Sequence, residues 1–377
     1  MIRYIIRFIP LLISVIVLFF GVFGESAEQL KIDIEEHPKR IAALEEAYRN
    51  GEIPPVNEAD FFDGNLAAEL DEGLKFNEIA FIATHNSYQK KSVPGIQKIY
   101  KNLSDLTFGL VSSETGQFES QTLTQQFNCG IRSIEMDIET FVKGDAITFT
   151  CMHSPSIDMT TTCYDFALAL KEISLWSENN PDHLPITVIV EPKSVFLPIE
   201  DMEFFNMDYV KVLDQVIRDN LGDKLFTPAD MLRDYNSFGE MRSADDWCRV
   251  DGMLGKVLIL LHETGVTEDY ISMDTTFSTQ AMFPMLREKD ATRDCASFLI
   301  INNPERIRDR KAEILDKLNL IVRTRADTYG SISDENRENA IYSGSQIVST
   351  DYPARDDLYE FSYTVCFGDN KTVKAVK

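Results

Sequence analysis

The sequence predicts an α/β protein folded as a (β/α)8 barrel with a helical N-terminal extension, and three observations predict it. Eight short apolar runs recur, at residues 79–83, 131–137, 147–152, 186–190, 257–261, 297–301, 320–323 and 346–349, and most lack the apolar–polar alternation of a half-exposed sheet. Near-continuous apolar strands suit a parallel sheet covered on both faces. Helix-period segments lie between them: residues 166–176 place Phe166, Leu170, Ile173 and Trp176 on one side, and 209–217 and 307–318 behave alike. The region they occupy, about 300 residues, has room for a barrel whose usual size is ~250. A doubly wound open sheet is the competing architecture, but no GxGxxG follows the first strand.

From the N-terminus onward, each segment has its own reading. Arg3 and Arg7 precede an uncharged run at residues 8–23, whose 16 residues fall short of the ~20 that span a bilayer. With small residues Val22 and Gly24 before a polar stretch, residues 1–24 are expected to be a cleaved secretory signal, or a membrane anchor through 8–23 if uncleaved. Residues 25–74 form the N-terminal extension. Within it, 28–50 read as an amphipathic helix carrying Leu30, Ile34, Ile41, Leu44 and Tyr48, placed to cover one end of the barrel. Residues 75–377 are expected to form the barrel domain. Export to a secreted or periplasmic location makes disulfides the default for the six cysteines, which include no CxxC pair. Cys151 is expected to pair with Cys163, and Cys248 with Cys295.

Composition narrows the function. The 37 Lys and Arg against 61 Asp and Glu give a net charge of −24. That sign sets the chain against nucleic acid and bare anionic membranes, and clustered carboxylates favour hard cations. Polar clusters sit at the C-terminal ends of the expected strands, where such a barrel builds its active site. These ends read Thr84-His85-Asn86-Ser87-Tyr88, Glu135-Met136-Asp137, Cys151-Met152-His153, Glu191-Pro192-Lys193, Arg323-Thr324-Arg325-Ala326-Asp327 and Ser349-Thr350-Asp351-Tyr352.

Glu135 and Asp137 are two apart on a strand and share a face. Two carboxylates converging inside a barrel repel, and a divalent cation removes that cost. Glu191 and the amide oxygen of Asn86 complete a hard donor set, which suits Ca2+, with Mg2+ second, better than zinc. Of five histidines, His85 and His153 stand beside these carboxylates. Imidazoles titrate near neutral pH, so the pair fits acid/base work on either side of a phosphate. His37 and His183 read as structural, and His262, followed by Glu263, is left outside the expected site.

Together these pieces resemble the calcium-dependent phosphatidylinositol-specific phospholipases C, in their secreted, single-domain form. The matching stretches are 83–88, 130–137, His153, Trp176-Ser177 with Asn180-Pro181, 184–186, 191–193, 323–327 and 348–352. The resemblance implies the PLC-like phosphodiesterase barrel, with calcium on Asn86, Glu135, Asp137 and Glu191. It makes His85 and His153 catalytic, His85 as a donor to the phosphoryl oxygen and His153 as the acid for the leaving group. Lys193 would contact phosphate or inositol, and Arg325, Asp327 and Tyr352 the head group. The implied partner is a phospholipid or soluble inositol phosphodiester, met transiently at a membrane surface, with no nucleic acid. Two other readings stay open: a glycerophosphodiester phosphodiesterase on the same barrel, which usually carries His-Arg-Gly where this chain has His85-Asn86-Ser87, and a lipid- or sugar-binding barrel without activity.

Overall fold

The structure, a computed structural model, describes residues 2–106, 116–153, 155, 158–193, 199–327, 332–354 and 363–376, with side chains from Gly24 onward except 103 and 106. Eight parallel strands close into a barrel: β1 Ile79–Thr84, β2 Ser133–Lys143, β3 Ile186–Pro192, β4 Val257–Leu261, β5 Met282–Arg287, β6 Phe298–Ile300, β7 Ile321–Arg325 and β8 Ile347–Thr350. The closing seam between β1 and β2 is joined at Ala83 and Ser133. Below that point the C-terminal strand Val373–Ala375 runs antiparallel along β1 and covers its edge.

One of the expected strands is corrected, and one stave is added. The run at 147–152 is not a barrel stave. As strand Ala146–Cys151 it folds back antiparallel on an extension of β2, pairing Cys151 with Ile138. The stave missing from the sequence reading is β5, whose Pro284 argues against a central strand because it lacks an N–H to donate.

Register carries one face around the whole barrel. Paired residues share a face, and the pairs link Phe81 to Ile347, Ala83 to Ser133, Thr187 to Leu258, Leu260 to Phe283, Met285 to Phe298, and Ile321 to Phe298. Phe81, Ala83, Ile189, Leu258, Leu260, Phe283, Met285 and Phe298 belong to one buried cluster on this face. The opposite face carries Ile134, Met136, Val188, Val190 and Ile259, which pack with Phe166, Leu170, Ile173 and Trp176 of helix Phe166–Asn179 and Val210, Leu213 and Ile217 of helix Met207–Leu221. Continued by twos past the strand ends, the inner face reaches His85, Glu135, Asp137, Glu191, His262, Arg325 and Asp351.

One helix runs without a break from Ile2 to Arg49, so the expected helix at 28–50 starts far earlier. It packs along helix Phe166–Asn179 and against helix Pro94–Leu106. Buried polar contacts hold it: Ser26 accepts from the Met159 amide at 3.1 Å, and Asp33 from Lys90 at 2.7 Å and the Thr161 amide at 3.1 Å. Arg40 donates to the Thr162 carbonyl at 2.6 Å and to Glu172 at 3.1 Å. Farther on, Phe61, Phe62, Leu66 and Leu74 enter the same core as the barrel interior. Among residues with described side chains, no helix is long and apolar enough to cross a membrane.

The expected disulfides, Cys151 with Cys163 and Cys248 with Cys295, are not formed. Several thiols have other partners: Cys163 lies 3.8 Å from the Arg40 guanidinium, and Cys248 donates to the Met231 carbonyl at 3.8 Å.

At the foot of β2, Gly130 turns the chain at φ 88°, where a Cβ would lie 2.5 Å from the Phe61 ring. Arg132 follows, fully buried. It donates to Glu58 at 2.6 Å and to the carbonyls of Phe127 and Ile131 at 2.8 and 2.6 Å, with its guanidinium 4.7 Å from the Trp176 ring centroid. Arg132→Met leaves Glu58 and those carbonyls without their donor. It should cost about 3–5 kcal/mol, read as a lower urea midpoint at unchanged slope.

Candidate active site

The site lies at the C-terminal mouth of the barrel. His85 follows β1, and the next residue, Asn86, takes the left-handed φ of 45° that ends the strand. His85 Nδ1 lies 2.9 Å from Asp351 Oδ1. A carboxylate only accepts, so the Asp351 contact calls for a proton on Nδ1, with Nε2 3.9 Å from Glu135 Oε1. The Arg325 guanidinium, which only donates, lies 3.2 Å from the same Nδ1 and calls for a lone pair there, so the two contacts favour opposite tautomers. Burial, then Arg325, holds the His85 pKa well below the ordinary value against the opposing pull of Glu135.

His153 reaches this mouth by the hairpin described above. Its strand returns to the level of Ile138, one residue past Asp137, and delivers His153 close enough to act on the charge of His85. Burial and the neighbouring Lys193 lower its pKa to about 4. Both imidazoles are therefore neutral at pH 7 in the free site.

Glu135 accepts from Arg323, whose guanidinium also donates to Ser349 at 3.2 Å. Burial pushes the Glu135 pKa up, but Arg323 and the imidazoles of His85 and His262 outweigh it and hold it at about 2. Asp137 accepts from the Tyr88 hydroxyl at 2.9 Å and pairs with Lys193 at 3.2 Å. Lys193 also pairs with Glu191 at 2.8 Å. Burial, only partly offset by Lys193, raises the Asp137 pKa.

A divalent cation fits this donor set. Asp137 Oδ1 is buried with no hydrogen-bond partner, and burial, joined by the charges of Glu191 and Glu135, works against ionisation of its carboxyl. Ligand atoms of Glu135, Glu191 and His262 lie within 4.8 Å of one another. Asn86, an oxygen donor, sits buried at the end of β1.

The remaining expected residues divide. Arg325 stands at the site beside His85. Asp327 is buried behind it, with its carboxylate accepting from Thr350 at 2.5 Å and the Asp351 amide at 2.8 Å. Tyr352 is of the opposite parity to Asp351, and its ring packs edge-on against Tyr363, 5.5 Å between centroids, in the outer core. Sequence reasoning passed over Asp351, Arg323 and His262. The signal for all three was parity, since each continues the inner face of its strand by twos.

The profile described as "Phosphoinositide phospholipase C, Ca2+-dependent" matches residues 143–376. A calcium-dependent phosphoinositol-specific phospholipase C from a Gram-negative bacterium, Pseudomonas sp., superposes with a TM-score of 0.56 at 16% identity, over 85% of this chain and 99% of that one. A Ca2+-dependent phosphatidylinositol-specific phospholipase C from Streptomyces antibioticus gives 0.52 at 16% identity, over 74% and 95%. At these identities the structures show a shared fold. No curated protein matches the chain. The profile covers well over half of the sequence, and the chain belongs to the calcium-dependent phosphoinositide phospholipase C family of phosphodiesterases.

Proposed function

We propose that the protein cleaves the phosphodiester of phosphatidylinositol, or of a soluble inositol phosphodiester, by attack of the inositol 2-hydroxyl on phosphorus. The products are an inositol cyclic phosphate and the freed alcohol, diacylglycerol for the lipid. The observation that carries this reading is the convergence of the Asp351–His85 pair, His153 and the carboxylates of Glu135, Asp137 and Glu191 at one barrel mouth.

Calcium held by Asn86, Glu135, Asp137 and Glu191 supplies positive charge that acidifies the hydroxyl and offsets charge growing on phosphorus. We assign the tautomer in which Nδ1–H is held by Asp351, so that His85 offers a lone pair at Nε2. That assignment makes His85 the base that takes the hydroxyl proton, whereas the other tautomer, favoured by Arg325, would keep the donor role expected from the resemblance. His153 protonates the departing oxygen, and the anionic phosphodiester beside it raises its low proton affinity. Lys193 and Arg325 contact the phosphate and head group, while Asp327 and Tyr352 brace the end of β8.

Asp351→Asn removes the carboxylate that orients His85 and stabilises its protonated form. It should lower kcat by up to about 10²-fold with little change in KM. An unchanged kcat removes Asp351 from the pair.

Export remains part of the proposal, with residues 1–24 as the signal. Among residues with described side chains, Glu25 and Ser26 are the first to dock this helix, and cleavage after Gly24 keeps their contacts. The deciding experiment is product analysis by phosphorus NMR on phosphatidylinositol with calcium or chelator. Cyclic inositol phosphate, formed only with calcium, is the expected product. Release of glycerol or choline from glycerophosphodiesters selects the alternative hydrolase, and binding without turnover selects an inactive barrel.

A further inference from the structure

We propose that His262 is a further ligand of the cation pocket, and that the nitrogen it adds lets the pocket hold Zn2+ in competition with Ca2+. His262 follows β4 on the inner face, and its amide donates to the Val190 carbonyl at 2.9 Å, which fixes it beside β3. Its Nε2 is 3.9 Å from Glu191 Oε2, and both lie within 4.8 Å of a Glu135 oxygen. That spacing is too long for a hydrogen bond and matches two atoms bound to one ion.

The proton position agrees. Nδ1 lies 3.1 Å from the Glu263 carbonyl, which only accepts, so Nδ1 carries the hydrogen and Nε2 presents its lone pair to the carboxylates. Metal-bound histidines show this arrangement, with the far N–H held by a backbone carbonyl. A second, separate sign of an ion is Asp137 Oδ1, buried and unpartnered in the same pocket.

Chemistry then sets the preference. Calcium and magnesium take oxygen, whereas an imidazole nitrogen joined to two carboxylates is a zinc donor set. Four-coordinate zinc on Glu135, Glu191 and His262 keeps one position open. Zinc would thus compete at the cost of the calcium-supported reaction. The inference uses the pocket of the proposed function, but it holds whichever phosphodiester is the substrate.

The test is calorimetric titration of the full chain with ZnCl2 and with CaCl2, alone and in competition. Wild type should bind zinc at a site that calcium displaces. His262→Gln should weaken zinc by at least about 10-fold and calcium by less than about 3-fold, at an unchanged Tm. Glu191→Gln should weaken both. A second His–Cys–Glu grouping, His37, Cys163 and Glu172, has the Arg40 guanidinium in its midst, and Cys163→Ser reports on it. Zinc binding unaffected by His262→Gln, equal weakening of both ions, or loss of zinc in Cys163→Ser instead would each overturn the proposal. Failure of lipid turnover with zinc binding as described would overturn the proposed function and leave this inference standing.

Discussion

His85→Ala and His153→Ala should each lose about 10²–10⁴-fold in kcat while binding calcium as wild type does. The two losses have different origins. Without His85, the inositol hydroxyl has no base held by Asp351, so attack on phosphorus slows. Without His153, the alkoxide of the leaving alcohol departs unprotonated, so substrates with more acidic leaving groups should recover part of the rate. A p-nitrophenyl ester of inositol phosphate separates them: His153→Ala should regain turnover on it and His85→Ala should not. Equal deficits on both substrates would remove the acid role from His153. Raising calcium should rescue neither variant, because neither imidazole is among the ligands assigned to the ion. Normal turnover by either would contradict its place in the reaction.

Much of this arrangement was legible in the sequence because a barrel strand has a simple grammar. Apolar runs bounded by polar ends located seven of the eight staves, and the polar ends named the mouth. Two features resisted. Pro284 sits inside β5, and a residue without an N–H normally marks an edge or a turn, so a genuine stave was passed over. The run at 147–152 is as apolar as a stave yet belongs to a hairpin, because its pairing with residues 138–143 is set by the two-residue turn at Gly144, not by its own composition. Parity explains the rest. Asp351 and Tyr352 are adjacent, and only register against β1 and β7 decides which one faces the pocket. The aromatic residue attracted the functional reading, and the carboxylate beside it holds the histidine. Arg323 hid for a related reason: an arginine in an apolar strand reads as a strand end until Glu135, 188 positions away, appears as its partner.

Asp137→Asn should cut calcium affinity by at least about 10-fold and lower turnover at limiting calcium to match, with excess calcium restoring most of the rate. The choice of residue matters. Glu135 is the acceptor of a buried arginine, so replacing it also strands Arg323 in the core, a change worth about 3–5 kcal/mol that would blur any metal effect with unfolding. Asp137 pairs with Lys193 at 3.2 Å, but Lys193 keeps Glu191 at 2.8 Å when Asp137 is replaced. An asparagine there keeps an oxygen for the Tyr88 hydroxyl and loses one negative charge from a pocket where burial already disfavours it. Its free oxygen, Oδ1, has no protein partner to lose. The fold should therefore hold, or gain slightly, while the ion is lost. Calorimetry with calcium and a thermal melt on the same sample check both halves. If affinity stays at the wild-type level, Asp137 is not a ligand. If excess calcium restores nothing, its role lies in the chemistry instead.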